Sequence, residues 1–496
     1  AVELSFLGTR FTAWIGSLDV DALLERSEVA REYRFTLRKA QEESEHLMPP
    51  EEEALAAELG LIGGKAWAKL HGTFTSQLTV PFEIEGEVRQ LPMSAVRNLA
   101  YHPEREVRRA AYEAELDAWK RAEVPIVAAL NGVKGEVNAL SRRRRWETPL
   151  DAALFANNID HDTLDAMMGA ARASFPDFGR YLKAKARALG LSVLAWYDLF
   201  APVGSARRRW TFEEAKGFIA RQFGTYSDAL RGLAERAFRE RWIDGQPRVG
   251  KRDGAFCTWI RDDRSLVFAN YKTVYGGMST LAHELGHAYH NYRLSRRSIL
   301  QRNTPMTLAE TASIFCETIV RQAALTEATE DQQLEILEAE LQGACQVVVD
   351  ISSRFLFEQR VFAQRQRRDL SARECCEFML AAQRETYGDG LDPDLLHPYL
   401  WAAKPHYYSS SRSFYNYPYM FGLLFGLGLY AQYRADPAGF RTGYDELLTS
   451  TGMDEASVLA ARFGIDIRSA DFWDASVDVI RADIDRFESL VCRLTG

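Results

Sequence analysis

Apolar residues recur at a helical period through almost the whole 496-residue chain, as in Val107 to Leu116, Asp162 to Ala173, Phe212 to Phe223 and Thr326 to Leu341. Residues three and four apart share a helix face, so each such stretch has one side to bury and the chain must pack helix on helix. No unit of roughly 20 to 50 residues repeats, which excludes a solenoid. Proline junctions at Pro49-Pro50, Pro103 and Pro202 stop one helix or start the next without making a long linker. A content of 47% hydrophobic and 11% aromatic residues supplies a large core and excludes wholesale disorder.

One stretch leaves the helical pattern. Gly254 to Tyr271 sets two β-prone runs on either side of the charged turn Arg261-Asp262-Asp263-Arg264, which predicts a small hairpin. A second turn is expected at Gly276-Gly277, with the next helix opening at about Ser279 or Thr280.

That helix carries His283-Glu284-Leu285-Gly286-His287, an HExxH pattern. Four helical residues advance about 400°, so the two imidazoles project the same way and can share one tetrahedral zinc ion. Glu284 then reaches a water on the metal without being a ligand itself. A catalytic zinc needs a third protein ligand, and Thr307 to Leu325 offers Glu310 and Glu317, seven residues apart on an expected continuous helix. One can bind metal while the other supports it from behind, although Thr307 and Glu310 also have the spacing of a capping box. A third cluster, Lys404 to Tyr419, joins His406 to a run of tyrosines able to donate hydrogen bonds to an oxyanion. Aromatic stripes at such spacing are more often core.

The residues resemble the oligoendopeptidase F branch of the thimet-oligopeptidase-like zinc metallopeptidases. The resemblance spans nearly the whole chain and rests on Ala282 to His290, Asn303 to Ser313, Gly250 to Cys257 and Phe414 to Tyr430. It implies a mostly α, bowl-like, two-lobed fold with a deep cleft and a small β element beside the metal helix. The expected division is an N-terminal helical lobe over 1–165 and a catalytic domain over 166–496, packed around one cleft. It also implies one Zn²⁺ per chain, held by His283, His287 and Glu310, with Glu317 behind them. Glu284 matches the general base and His406 the histidine that hydrogen-bonds substrate, with Tyr419 and then Tyr415, one helical turn earlier, as oxyanion donors. The activity implied is endopeptidase cleavage of short peptides. The strand from Leu266 to Tyr271, at Phe268, Ala269 and Asn270, is expected to bind substrate backbone as an added strand. Two departures from the family stand out. Ser409 to Ser411 widen the spacing from His406 to the tyrosines, and the chain starts late, so a helical segment that helps close the cleft is expected to be missing or shortened.

Rival readings are a helical zinc carboxypeptidase using Arg412 for the substrate terminus, a catalytically silent metal-bound peptide binder, and a nucleic-acid binder using Arg142 to Arg145 and Arg207 to Arg209. The charge, 61 Lys and Arg against 69 Asp and Glu for a net −8, opposes the last by denying a dominant basic face. Ser413 to Tyr433 lacks charge but holds Pro418, Asn416, Gln432 and five tyrosines, which favours a buried helix packed through Gly422 and Gly426 over a membrane span. No secretory signal is legible at the start. Six cysteines without a CxxC pair make neither a disulfide framework nor a thiolate metal site, and the adjacent Cys375 and Cys376 are expected to be ordinary thiols. A reducing cytoplasmic setting follows, while subunit number is left open.

Overall fold

The computed structural model describes residues 2–84, 86–204, 208–248, 250–251 and 254–495. Arg207 of the second arginine run, and Arg252 and Asp253 of the segment ahead of the hairpin, lie outside the described residues. The chain is 71% helical with two small sheets. In chain order the elements that matter here begin with the antiparallel pair β1 (Thr79–Ile84) and β2 (Glu87–Pro92), followed by α1 (Arg105–Arg143), α2 (His161–Ala188) and α3 (Phe212–Tyr226). A three-stranded sheet comes next, from β3 (Ile243–Asp244), β4 (Phe256–Arg261) and β5 (Arg264–Phe268). Then come α4 (Tyr275–Leu294), α5 (Met306–Ala309), α6 (Thr311–Glu327), α7 (Glu330–Cys345), α8 (Ile351–Arg365), α9 (Tyr417–Ala435) and α10 (Ala470–Thr495).

The chain packs into two compact units, each assembled from separate stretches. One comprises Ala1–Ala156, Leu191–Pro202 and Val349–Tyr417, the other Asn157–Gly190, Val203–Val348 and Pro418–Gly496. The sequence reading places a single boundary at 165/166, whereas packing returns 349–417 to the first unit.

The first unit is built on α1, whose 39 residues bury Ala111, Ala118, Ala122, Ile126, Ala129, Val133 and Val137 at helical spacing. Trp119, Ile126 and Leu130 share a core with Val80 and Phe82 of β1, Phe357 and Val361 of α8, and Trp401 and Tyr407. Lys134 and Glu358 form a buried ion pair of 2.6 Å inside it, and Glu358 also accepts from the Phe414 amide at 3.1 Å. Charge buried without water is tolerable only when paired in this way. The first arginine run is largely spent on its own unit: Arg144 makes a two-pronged bond to Glu53 at 2.9 and 2.7 Å, and Arg145 donates to the carbonyl of Leu47 at 3.2 Å.

In the second unit the expected helix from Thr326 to Leu341 is interrupted. α6 stops at Glu327 and α7 opens at Glu330, where the Thr329 amide donates to the Gln332 side-chain oxygen at 3.2 Å and caps the new start. The predicted hairpin is present, with β4 and β5 antiparallel and the turn at Asp262-Asp263, where Asp262 adopts a left-handed φ of 49°. α9 is apolar on every side and buries Met420, Phe421, Leu424 and Phe425. Such a helix belongs in a core, and among the described residues no helix is long and apolar enough to cross a membrane. None of the six cysteines forms a disulfide among the described residues.

Candidate metal centre

α4 begins one turn earlier than the sequence suggests, at Tyr275, so Gly276 and Gly277 lie inside the helix rather than in a turn before it. The reason is steric. A Cβ on Gly277 would fall 2.0 Å from the Lys272 carbonyl oxygen, and its absence lets the incoming chain turn tightly against the first helical turn.

Along α4, Ser279, His283 and His287 follow at intervals of four and share one face. α4 packs on α6 at close range because Gly286 sits opposite the α6 backbone. A Cβ there would meet Ser313 Cα at 2.6 Å and the Ala312 carbonyl oxygen at 2.7 Å. α9 approaches equally closely from another side, where a Cβ on Gly422 would meet Glu310 Cβ at 2.6 Å and one on Gly426 would meet Ile314 Cγ2 at 2.6 Å.

The helix expected from Thr307 is broken at Glu310, whose φ of −90° and ψ of 3° separate α5 from α6. The capping-box alternative is not formed. The buried Thr307 hydroxyl donates instead to the Asn157 carbonyl at 2.7 Å, and the Glu310 carboxylate turns toward α4. His283 Nε2 lies 3.2 Å and His287 Nε2 3.4 Å from Glu310 Oε2, and these three residues offer ligand atoms all within 4.8 Å of one another. Ser313 donates to Glu310 Oε2 at 2.6 Å. On the far side of the ring, His283 Nδ1 faces Glu317 Oε2 at 3.0 Å, while Ser279 donates to Glu317 Oε1 at 2.7 Å. Glu317 is seven residues after Glu310, but the break puts the two carboxylates on opposite nitrogens of one imidazole.

The electrostatics follow from burial and this crowding. Burial opposes the charged form of His283, yet its hydrogen bonds to Glu310 and Glu317 carry its pKa well above the ordinary value. Burial pulls His287 down to about 4. Glu310 is opposed by burial too, but the His283 hydrogen bond and the charges of both histidines hold it down at about 2. Glu284 is pushed up to about 7, chiefly by burial. It is 5% exposed and its Oε2 has no hydrogen-bond partner among the described residues. Two imidazole nitrogens and one carboxylate oxygen form the donor set of a four-coordinate zinc with one position left for solvent, and the Glu317 bond to Nδ1 is the support a ligating histidine takes. A divalent cation also answers the charge of three neighbouring glutamates, so the residues fit a metal.

Sequence reasoning did not find Ser279, Ser313 or Gly286. The spacing held a signal for the first two, one turn before His283 and three residues after Glu310. His290, three residues beyond the HExxH pattern, is buried against Thr451 Oγ1 at 2.9 Å and lies outside the cluster.

The expected peptide-binding strand needs correction. β5 is the middle strand of its sheet, between β3 and β4, so its edges are taken. The Ala269 amide donates to Asp244 and its carbonyl accepts from Lys251 at 2.6 Å. The outer edge belongs to β4, next to α4.

His406 and Tyr415 lie in the other compact unit. His406 occupies a short turn, Pro405–Tyr408, and its ring stacks on Tyr415 at 4.8 Å. Burial, with the Arg354 and Lys404 charges, pushes it down to about 4, and its Nδ1 is buried without a hydrogen-bond partner among the described residues. Tyr415 is not one helical turn before Tyr419. α9 starts only at Tyr417, after Phe414 at a φ of 52°, and Pro418 lacks the N–H needed to extend the helix upstream. Tyr419 lies on α9 at 36% exposure. Arg412 is exposed, with its guanidinium 5.8 Å from the Tyr415 ring.

Comparison with known proteins sets this geometry in a lineage. The model of peptidase family M3 matches residues 98–479, and that of oligopeptidase F matches 15–79. The chain belongs to peptidase family M3. It is accordingly a metallopeptidase of the oligoendopeptidase kind. It is 26% identical to the group B oligopeptidase PepB of Streptococcus agalactiae over 483 residues, 95% of this chain and 78% of that one. Against oligopeptidase PepF of Bacillus subtilis it is 23% identical, covering 95% of this chain and 71% of the other. Among solved structures, oligoendopeptidase F from Enterococcus faecium superposes with a TM-score of 0.78 at 19% identity, over 99% of this chain and 85% of that one. PZ peptidase A with an inhibitor superposes at 0.74 and 16% identity, over 98% and 84% of the two chains.

Proposed function

We propose that this M3 peptidase hydrolyses internal bonds of short peptides, with one zinc ion held by His283, His287 and Glu310 and with Glu284 as general base. The observation that carries the reading is the meeting of both imidazole Nε2 atoms with the Glu310 carboxylate, beside the buried Glu284 carboxylate, whose Oε2 has no hydrogen-bond partner among the described residues. When bound, the zinc supplies Lewis-acid polarisation of the carbonyl and of a water. Glu284 takes a proton from the attacking water and returns it to the amine nitrogen as the C–N bond breaks. A carboxyl raised to about 7 is suited to that exchange at neutral pH. Glu317 holds His283 with Nδ1 protonated, so that Nε2 keeps its lone pair for the metal. The β4 edge takes the peptide backbone as an added strand, which makes recognition only mildly dependent on sequence. The parts the resemblance gives to His406, Tyr415 and Tyr419, substrate and oxyanion hydrogen bonding, rest on sequence. His406 enters as a neutral donor. Six cysteines outside any disulfide fit a reducing, cytoplasmic setting.

Glu284→Gln tests the central claim. The variant should retain one zinc by elemental analysis and lose kcat by about 10²- to 10⁴-fold on an internally quenched peptide. Undiminished turnover with zinc in place overturns the assignment of the base. Equal cleavage of amidated and free peptides at internal bonds separates this reading from an exopeptidase.

A further inference from the structure

At the tip of the hairpin, where β4 ends, the second unit has an open recess of about 560 Å³. Six of its lining residues are Trp259, Arg261, Asp262, Asp263, Arg297 and Arg302. Asp263 is spent on Arg236, which grips it with two bonds of 2.7 and 3.1 Å. Arg302 is fixed but not neutralised. It donates to the carbonyls of Arg297 and Ser295 at 2.8 and 2.6 Å, and its guanidinium lies 4.8 Å from the Trp259 ring. Arg297 donates to the Thr449 carbonyl at 3.1 Å and reaches a carboxylate, Glu446, only at 3.5 Å. Arg261 is exposed at the end of the strand and has no carboxylate within ion-pair distance among the described residues. With Arg297 paired to Glu446, Arg261 and Arg302 face Asp262 alone, so the recess keeps an excess of positive charge beside the Trp259 indole. Guanidinium groups of this kind suit a planar carboxylate.

β4 says whose carboxylate it is. Its outer edge is unpaired by any described strand, and it runs from Cys257, whose Sγ lies 3.8 Å from Asn291 Nδ2 one turn past His287 on α4, to Arg261 at the recess. Four residues of strand span about 13 Å, so a peptide lying along β4 from the metal-bearing helix reaches the recess about four residues beyond Cys257. We propose that the recess is a subsite for a peptide carboxylate at that distance from the cleaved bond. The inference rests on the peptidase reading above and adds a substrate preference to it. An antiparallel peptide brings an acidic side chain on the amino-terminal side of the cleaved bond. A parallel one brings an acidic side chain or the free carboxyl terminus from the other side.

The test uses zinc-loaded enzyme and quenched peptides of one length. A neutral amidated parent is compared with versions carrying Glu for Gln at each position three to five residues from the cleaved bond, and with a free-acid version of the parent. The expected result is a kcat/KM about three- to fivefold higher for one carboxylate-bearing peptide than for its neutral twin, a ratio that shrinks at high salt. In Arg261→Glu the ratio should fall to one or below. Arg302→Gln should lower it too, with thermal unfolding checking that the tip remains folded. The position that responds identifies the source of the carboxylate. Equal kcat/KM across the series, or a preference that Arg261→Glu leaves intact, overturns the subsite while leaving the peptidase reading standing. Failure to cut any peptide, with zinc bound, overturns that reading and the subsite with it.

Discussion

Replacing Gly286 with Ala probes the claim that the close approach of α4 and α6 sets the metal geometry. The new Cβ would lie 2.6 Å from Ser313 Cα, where ordinary contact begins at 3.4 Å, so the helices must part locally by 3.4 − 2.6 = 0.8 Å. The obstacle is backbone, and no rotamer change relieves it. Overpacking of this kind costs about 1–3 kcal/mol, against a helix-propensity gain of about 1 kcal/mol for Gly→Ala. Gly276 on the same helix is the control, because a Cβ there meets nothing within 4 Å. Gly276→Ala keeps the propensity gain without the clash, and the two variants should differ by about 2 kcal/mol in thermal unfolding of the metal-free protein. The functional effect should be larger. Ligand distances tolerate only about 0.2 Å, so the displacement carries Ser313 and Glu310 out of register with the imidazoles. Competition against a chromogenic chelator should show zinc affinity at least tenfold weaker in Gly286→Ala and unchanged in Gly276→Ala. If both variants match the parent in stability and zinc affinity, the helix spacing does not position the ligands and the steric argument is wrong.

Glu317→Ala removes the partner of His283 Nδ1 and should weaken zinc binding by about 10- to 100-fold by the same competition assay. Lys134→Met leaves Glu358 buried with only the Phe414 amide, and should destabilise by about 3–5 kcal/mol in denaturant unfolding. Adding Glu358→Leu to it should recover part of the loss. His406 sits at about 4 in the fold against 6.5 when unfolded, held down by burial, so the unfolded chain binds more protons between those values. Stability from this group is therefore full above about 6.5 and is lost as pH falls toward 4. His406→Asn should reduce that acid slope by about 1 kcal/mol, discounted for partial exposure, and NMR titration of the imidazole should find it neutral at pH 6.

Helical class, the hairpin and the HExxH pair were legible because each is a local property. Period, turn residues and four-residue spacing act within a dozen residues of chain. The breaks were not legible. Whether a helix passes through Glu310 depends on Thr307 finding the Asn157 carbonyl and on the carboxylate finding two imidazoles, partners about 150 and about 25 residues distant in the chain. The same holds for Gly277, which reads as a turn residue until the Lys272 carbonyl is seen against it.

The amino-acid order alone decided which residue types are available for chemistry, two histidines one helical turn apart with a glutamate between them and more glutamates downstream. Only the tertiary structure decided which glutamate meets which ring nitrogen, that β4 rather than β5 keeps an open edge, and that 349–417 packs with the N-terminal stretch. Those outcomes depend on surfaces fitting across large separations in sequence, where a missing methyl at Gly286 or Gly422 matters as much as any charged group and leaves no periodic trace in the chain.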